Sequence, residues 1–192
     1  SLWANGQAVD EDRNVVKRDD CYEWIGVCPE SDSLEIRYQR QITAKDYGSL
    51  ISRSRKEPIF ELVGQIPEPG WICDCESPSC YALFTWGGNL QPPVLCADCG
   101  GYIPLYRLPL LDDDEFEQSR LQHWMGIYRA CDRLVSASGI GKRLAWHQLS
   151  SPRSQLTELG LSICGDMSAK LGKPFYYYLD TGFGRTVKRC PS

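Results

Sequence analysis

Residues 71–109, WICDCESPSCYALFTWGGNLQPPVLCADCGGYIPLYRLP, hold five of the ten cysteines of a 192-residue chain. Four residues separate Cys75 from Cys80, fifteen separate Cys80 from Cys96, and two separate Cys96 from Cys99. The resulting C-x4-C-x15-C-x2-C falls within the range of a four-thiolate zinc ribbon. Cys96-Ala97-Asp98-Cys99-Gly100-Gly101 has the form of a zinc knuckle. In such a turn two thiolates converge on one metal, backbone amides point at the sulfurs, and the glycines permit the tight reversal. Cys75, Cys80, Cys96 and Cys99 are the expected ligands of one structural Zn2+ per chain, with Cys73 able to replace Cys75. A rival set recruits Cys190, because the tail stops at Cys190-Pro191-Ser192 where a second knuckle would read Cys-Pro-x-Cys-Gly. A site of four sulfurs is closed and offers no open position for water.

The sequence around the cysteines reads as a hairpin. Tyr81–Trp86 has strand composition, Gly87-Gly88-Asn89 a turn, and Pro93–Leu95 leads into the knuckle. Pro67, Pro69 and Gly70 punctuate its entry, and Pro104 and Pro109 make its exit extended rather than helical. Upstream, residues 21–28 and 34–42 read as two strands of a hairpin, the second from the alternation of Leu34, Ile36 and Tyr38. A short polar helix is expected over Tyr47–Lys56, ended by Pro58, and another strand over 59–66. Cys21 and Cys28, on opposite strand faces, read as buried free thiols rather than as a metal pair.

Downstream, Asp112 is read as a helix cap and the acids after it as favouring the helix N-terminus, not as an interaction patch. Phe116, Trp124, Ile127, Tyr128, Cys131, Leu134 and Val135 form the apolar stripe of that helix, and Gly139 stops it. Gly139–Arg143 lacks the full pattern of a phosphate-binding loop. Ser151-Pro152 begins a second helix with a buried face of Leu156, Leu159, Ile163, Met167 and Leu171. Residues 174–180 are an aromatic strand. The expected fold is α+β: an antiparallel sheet of the N-terminal strands and the 174–180 strand, two long helices and an inserted zinc ribbon. Residues 1–70, 71–109 and 110–192 then form one composite domain.

Composition narrows the class. A hydrophobic fraction of 42% is enough for a core, and no apolar run approaches the roughly 18–20 residues that span a bilayer. The acidic N-terminus lacks the features of a signal peptide, and the missing initiator Met suggests trimming or a fragment. Clustered cysteines without an export signal point to zinc in a reducing, cytoplasmic compartment. Residues 73–111 carry three acids against Arg107 alone, and residues 1–72 carry 13 acids against 9 bases. Nucleic-acid affinity needs Lys and Arg on phosphates, and the ribbon offers almost none. With two histidines, His123 and His147, and no triad, HExxH or complete phosphate loop, the chain is not expected to be an enzyme.

The run from Cys96, Cys99 and Gly100 through Pro104–Pro109, with Lys173–Leu179 and the terminal Cys-Pro-Ser, resembles a bacterial family of uncharacterised zinc-ribbon-containing proteins. Nucleic-acid binding has been suggested for that family. The resemblance implies a zinc site built on the 96–99 knuckle and members that extend further at both ends. Charge argues for a different partner. The reading placed first is a non-catalytic protein-binding module held by structural zinc, whose acidic surface meets a basic protein. An immunity protein that neutralises a toxic effector such as a nuclease would have this character. The alternative is a nucleic-acid-binding ribbon, which requires Lys142, Arg143, Arg153, Arg185, Lys188 and Arg189 to converge on one face.

Overall fold

The computed structural model describes residues 2–3, 5–9, 15–65, 72–88, 91–108, 115–137 and 139–180. Its organising unit is a three-stranded sheet made by β3 (Tyr81–Leu83), β4 (Val94–Cys96) and β5 (Phe175–Tyr177), in the order β4-β3-β5. β3 runs antiparallel to β4, with Tyr81 opposite Cys96 and Leu83 opposite Val94. It runs parallel to β5, with Tyr81 opposite Phe175 and Leu83 opposite Tyr177. A parallel pair cannot be closed by a tight turn, so the chain between them makes a long crossover. That crossover carries β4 and then α2 (Glu115–Ala137), α3 (Lys142–Ser150) and α4 (Gln155–Leu171).

The strand period of two decides what each sheet face does. Tyr81, Leu83, Val94, Cys96 and Phe175 point inward and are buried, whereas Tyr176, Trp86 and Tyr178 are exposed. The helices cover the inner face. Trp124 on α2 is fully buried, with its ring 5.3 Å from Tyr128 and 6.0 Å from Tyr177 of β5. Gly160 marks the closest approach of α4. A Cβ there would lie 2.1 Å from the Tyr177 ring and 2.9 Å from Trp124 Nε1.

Several details differ from the sequence reading. On α2 the core face is Leu121, Trp124, Met125, Tyr128 and Cys131, while Ile127 and Leu134 are exposed and Val135 half-buried. At about 100° per residue, Ile127 and Leu134 fall beside the stripe rather than on it. The Asp112 cap and the Phe116 side chain lie outside the described residues. Ser151 ends α3, and α4 begins at Ser154, whose hydroxyl accepts from the Thr157 amide at 3.2 Å. Leu156, Ile163 and Met167 face the core of α4 as the periodicity predicts, and Gly172 closes it at φ 65.

The N-terminal third departs most. The hairpin joins β1 (Val15–Arg18) to β2 (Cys21–Trp24) and stands apart as its own sheet. Residues 36–38 form a 3-10 turn and α1 (Gln41–Arg53) follows directly, so the strand expected over 34–42 does not form. Its alternating residues have different destinations. Ile36 is exposed, Tyr38 packs 4.4 Å from the Tyr106 ring, and Arg40 donates to the carbonyls of Leu105 and Leu108 at 2.9 and 2.8 Å. Residues 59–65 form no strand, and Ile59 and Val63 are among the most exposed apolar side chains. Cys21 is exposed rather than buried, and Cys28 is half-buried. The 175–177 strand joins β3 of the cysteine-rich segment, not the N-terminal strands. Among the described residues no helix is long and apolar enough to cross a membrane.

Candidate metal centre

Three backbone segments build the centre. Residues 72–75 run beside the knuckle, tied by the Ile72–Tyr102 bridge and by the Cys73 amide, which donates to the Tyr102 carbonyl at 2.8 Å. β4 delivers Cys96, and the following turn returns at Gly101, whose carbonyl accepts from the Cys96 amide at 2.8 Å. Gly100 takes φ +75, a left-handed conformation that its lack of a Cβ permits. Gly101 is required for another reason. A Cβ there would sit 2.9 Å from both the Cα and the amide nitrogen of Cys73, so a side chain would push the two cysteine segments apart.

The sulfurs of Cys73, Cys75, Cys96 and Cys99 lie within 4.8 Å of one another. A tetrahedron with Zn–S bonds near 2.3 Å has edges of about 3.8 Å, so small side-chain adjustments complete the site. Two amides already point at sulfur: Gly101 N to Cys99 Sγ at 3.3 Å and Cys75 N to Cys73 Sγ at 3.4 Å. Such donors stabilise thiolates, which are the metal-binding form. Cys73 and Cys96 are buried, Cys99 is half-buried and Cys75 is exposed, which leaves one side for metal entry.

Burial and hydrogen bonding set Cys73, Cys75 and Cys99 apart in how readily they ionise. Burial pushes the Cys73 thiol up, and hydrogen bonding to Cys99 raises Cys75. Cys99 is lowered, chiefly by the Gly101 amide and then by neighbouring thiols that donate to it. Asp98 beside them is also lowered, by the hydroxyl and then the amide of Ser79.

Of the expected ligands, Cys75, Cys96 and Cys99 come together, and Cys73 joins them alongside Cys75 rather than in its place. Cys80 is not among the clustered sulfurs. Tyr81 is registered with Cys96, so Cys80, one residue earlier, falls on the opposite face of the strand. The spacing Cys73-x-Cys75 carried the signal, because alternate residues of an extended segment share a side. Cys190 lies outside the described residues.

His123 and His147 are both exposed, on different helices. Lys142, Arg143 and Arg153 are exposed, while Arg185, Lys188 and Arg189 lie outside the described residues. The outer sheet face was not anticipated as a surface. Trp86, Tyr176 and Tyr178 stand on it about half exposed, and Phe84 meets Tyr178 edge-on at 4.7 Å. The alternation in 81–86 and 174–180 held that information, once both strands were known to share a sheet.

Comparison with curated proteins and with solved structures finds no match. Residues 75–180 match a protein family described as Domain of unknown function (DUF2310), starting at the second clustered cysteine and ending just past β5. More than half of the chain is covered, and the chain belongs to that family.

Proposed function

We propose that this protein is a non-catalytic protein-binding module whose cysteine centre holds one structural Zn2+. Four converging sulfurs support the metal assignment, because an all-thiolate tetrahedral site suits zinc and leaves no coordination position for substrate. Elemental analysis of protein purified without added metal is expected to find close to one equivalent of zinc. Metal-free protein with Cys96 and Cys99 in a disulfide would overturn the assignment.

The binding reading rests on the outer sheet face. Trp86, Tyr176 and Tyr178 expose aromatic surface that no helix covers among the described residues. Isolated exposed apolar residues are ordinary, whereas an aromatic group on one sheet face is typical of a recognition surface. Aromatic faces attract Arg and Lys, and the exposed Asp74, Glu76 and Asp98 of the cysteine-rich segment add negative charge. The nearby arginines are engaged internally: Arg129 with Thr85 and Gln91, Arg133 with the Gly87 carbonyl. The partner that fits is a protein presenting Arg or Lys side chains. A pull-down from the native host is expected to recover one stoichiometric basic protein, lost with Trp86→Ala/Tyr176→Ala and eluted by salt. Recovery of nucleic acid instead would replace this reading with the nucleic-acid-binding one.

A further inference from the structure

Leu105–Leu108, directly after the knuckle, joins the metal centre to the N-terminal third. Its 3-10 turn at Leu105–Arg107 presents Tyr106 and Arg107, and both reach Glu30. Arg107 Nη1 donates to the Cys73 carbonyl at 2.8 Å, and Nη2 pairs with Glu30 Oε1. Tyr106 is buried and donates to Glu30 Oε2 at 2.6 Å, while its oxygen lies 2.9 Å from Ser33 Oγ. Arg40 reaches back to the carbonyls of Leu105 and Leu108. Beyond this layer Gln7 donates to the Ser33 carbonyl at 2.7 Å, and Asn5 to the Tyr38 carbonyl at 2.8 Å.

We propose that Arg107 latches residues 30–40 to the metal centre, so that metal loss releases this segment while the helical core stays folded. The inference rests on the metal reading above, because the metal fixes Cys73 and thereby the carbonyl that Arg107 grips. When the sulfurs are no longer held, residues 72–75 keep the Tyr102 contacts and the burial of Cys73 but lose their tie to Cys96 and Cys99, which frees the carbonyl to shift. The guanidinium then loses one of its two partners. Glu30 depends on the other half of that bridge, since its side chain is only 17% exposed. A largely covered carboxylate is held in place by its cation and its hydrogen bonds. Release of Glu30 and Ser33 removes both partners of the Tyr106 hydroxyl and uncovers the Tyr38–Tyr106 contact. Cys73, Cys96, Leu105 and Leu108 belong to the same buried cluster as Trp124, Leu149 and Ile163, whereas Tyr38 and Tyr106 lie outside it.

Hydrogen exchange on the full chain, with and without a zinc chelator, tests the latch. Metal content is read in parallel on the same samples. Chelation is expected to speed exchange of residues 30–40 by at least about tenfold, with α2 and α4 little changed. Arg107→Gln with its metal retained should reproduce the effect, and restoring the positive charge as Arg107→Lys should reverse part of it. Protein that never holds metal sinks the metal reading and the latch with it. Metal-loaded protein whose 30–40 segment ignores chelation sinks the latch alone, as does unfolding of all elements together.

Discussion

At the scale of single residues, a cysteine's neighbours decide what its sulfur does. On the zinc assignment proposed above, Cys73→Ser is expected to bring zinc content well below one equivalent, whereas Cys80→Ser should retain about one equivalent. Elemental analysis of the two variants, purified side by side, would reject the geometry if their order were reversed. Cys164 shows the other use of a thiol. It is buried in α4 and its pKa is pushed up to about 12 by desolvation, from 9.0. The unfolded chain ionises this thiol near pH 9 and the folded chain does not. Its contribution is therefore complete below pH 9 and is lost as the pH rises toward 12, by up to about 4 kcal/mol. Cys164→Ala should flatten the alkaline fall of stability measured by urea unfolding between those pH values. An unchanged slope would show that the thiol is not shielded.

At the scale of elements, the crossing of α4 over β5 and α2 is set by one missing side chain. Gly160→Ala would place a methyl into the half-buried Tyr177 ring and against the fully buried Trp124. Although alanine favours the helix intrinsically, overpacking here is expected to win and destabilise by about 1–3 kcal/mol. Thermal unfolding would read this as a lower midpoint, and a stabilised variant would refute the close crossing. At Gly165 a Cβ meets nothing within 4 Å, so alanine there should be neutral or mildly stabilising through helix propensity. The pair separates packing from propensity on the same helix.

At the scale of the whole molecule, the cysteine centre is where the hairpin and the 72–75 segment meet, and Arg107 links it to Glu30 of the N-terminal third. Its ligands must lose protons to bind metal, and burial holds Cys73 in the thiol form when no metal is present. Metal binding therefore releases protons, and affinity is expected to fall as the pH is lowered. Titration against a coloured chelator should give a plot of log affinity against pH with a slope above 1. A pH-independent affinity would mean that the ligands are not these thiols.

The sequence alone was enough to locate the cysteine-rich segment that could hold a metal, its hairpin, the two long helices, and the α+β class. These features depend on local spacing: cysteines near a Gly-Gly turn, apolar residues at helical period, and glycine at a helix end. Which sulfurs converge was not local. It followed from the register of Tyr81 with Cys96, which turns Cys80 away, and from residues 72–75 crossing the knuckle at Gly101. The parallel pairing of β5 with β3 likewise depends on a crossover whose ends lie more than ninety residues apart. Only the folded chain could show that the alternation in 34–42 belongs to a segment pinned by Tyr106 and the Leu105 and Leu108 carbonyls. A period of two records which residues share a side, and tertiary contacts alone decide what that side meets.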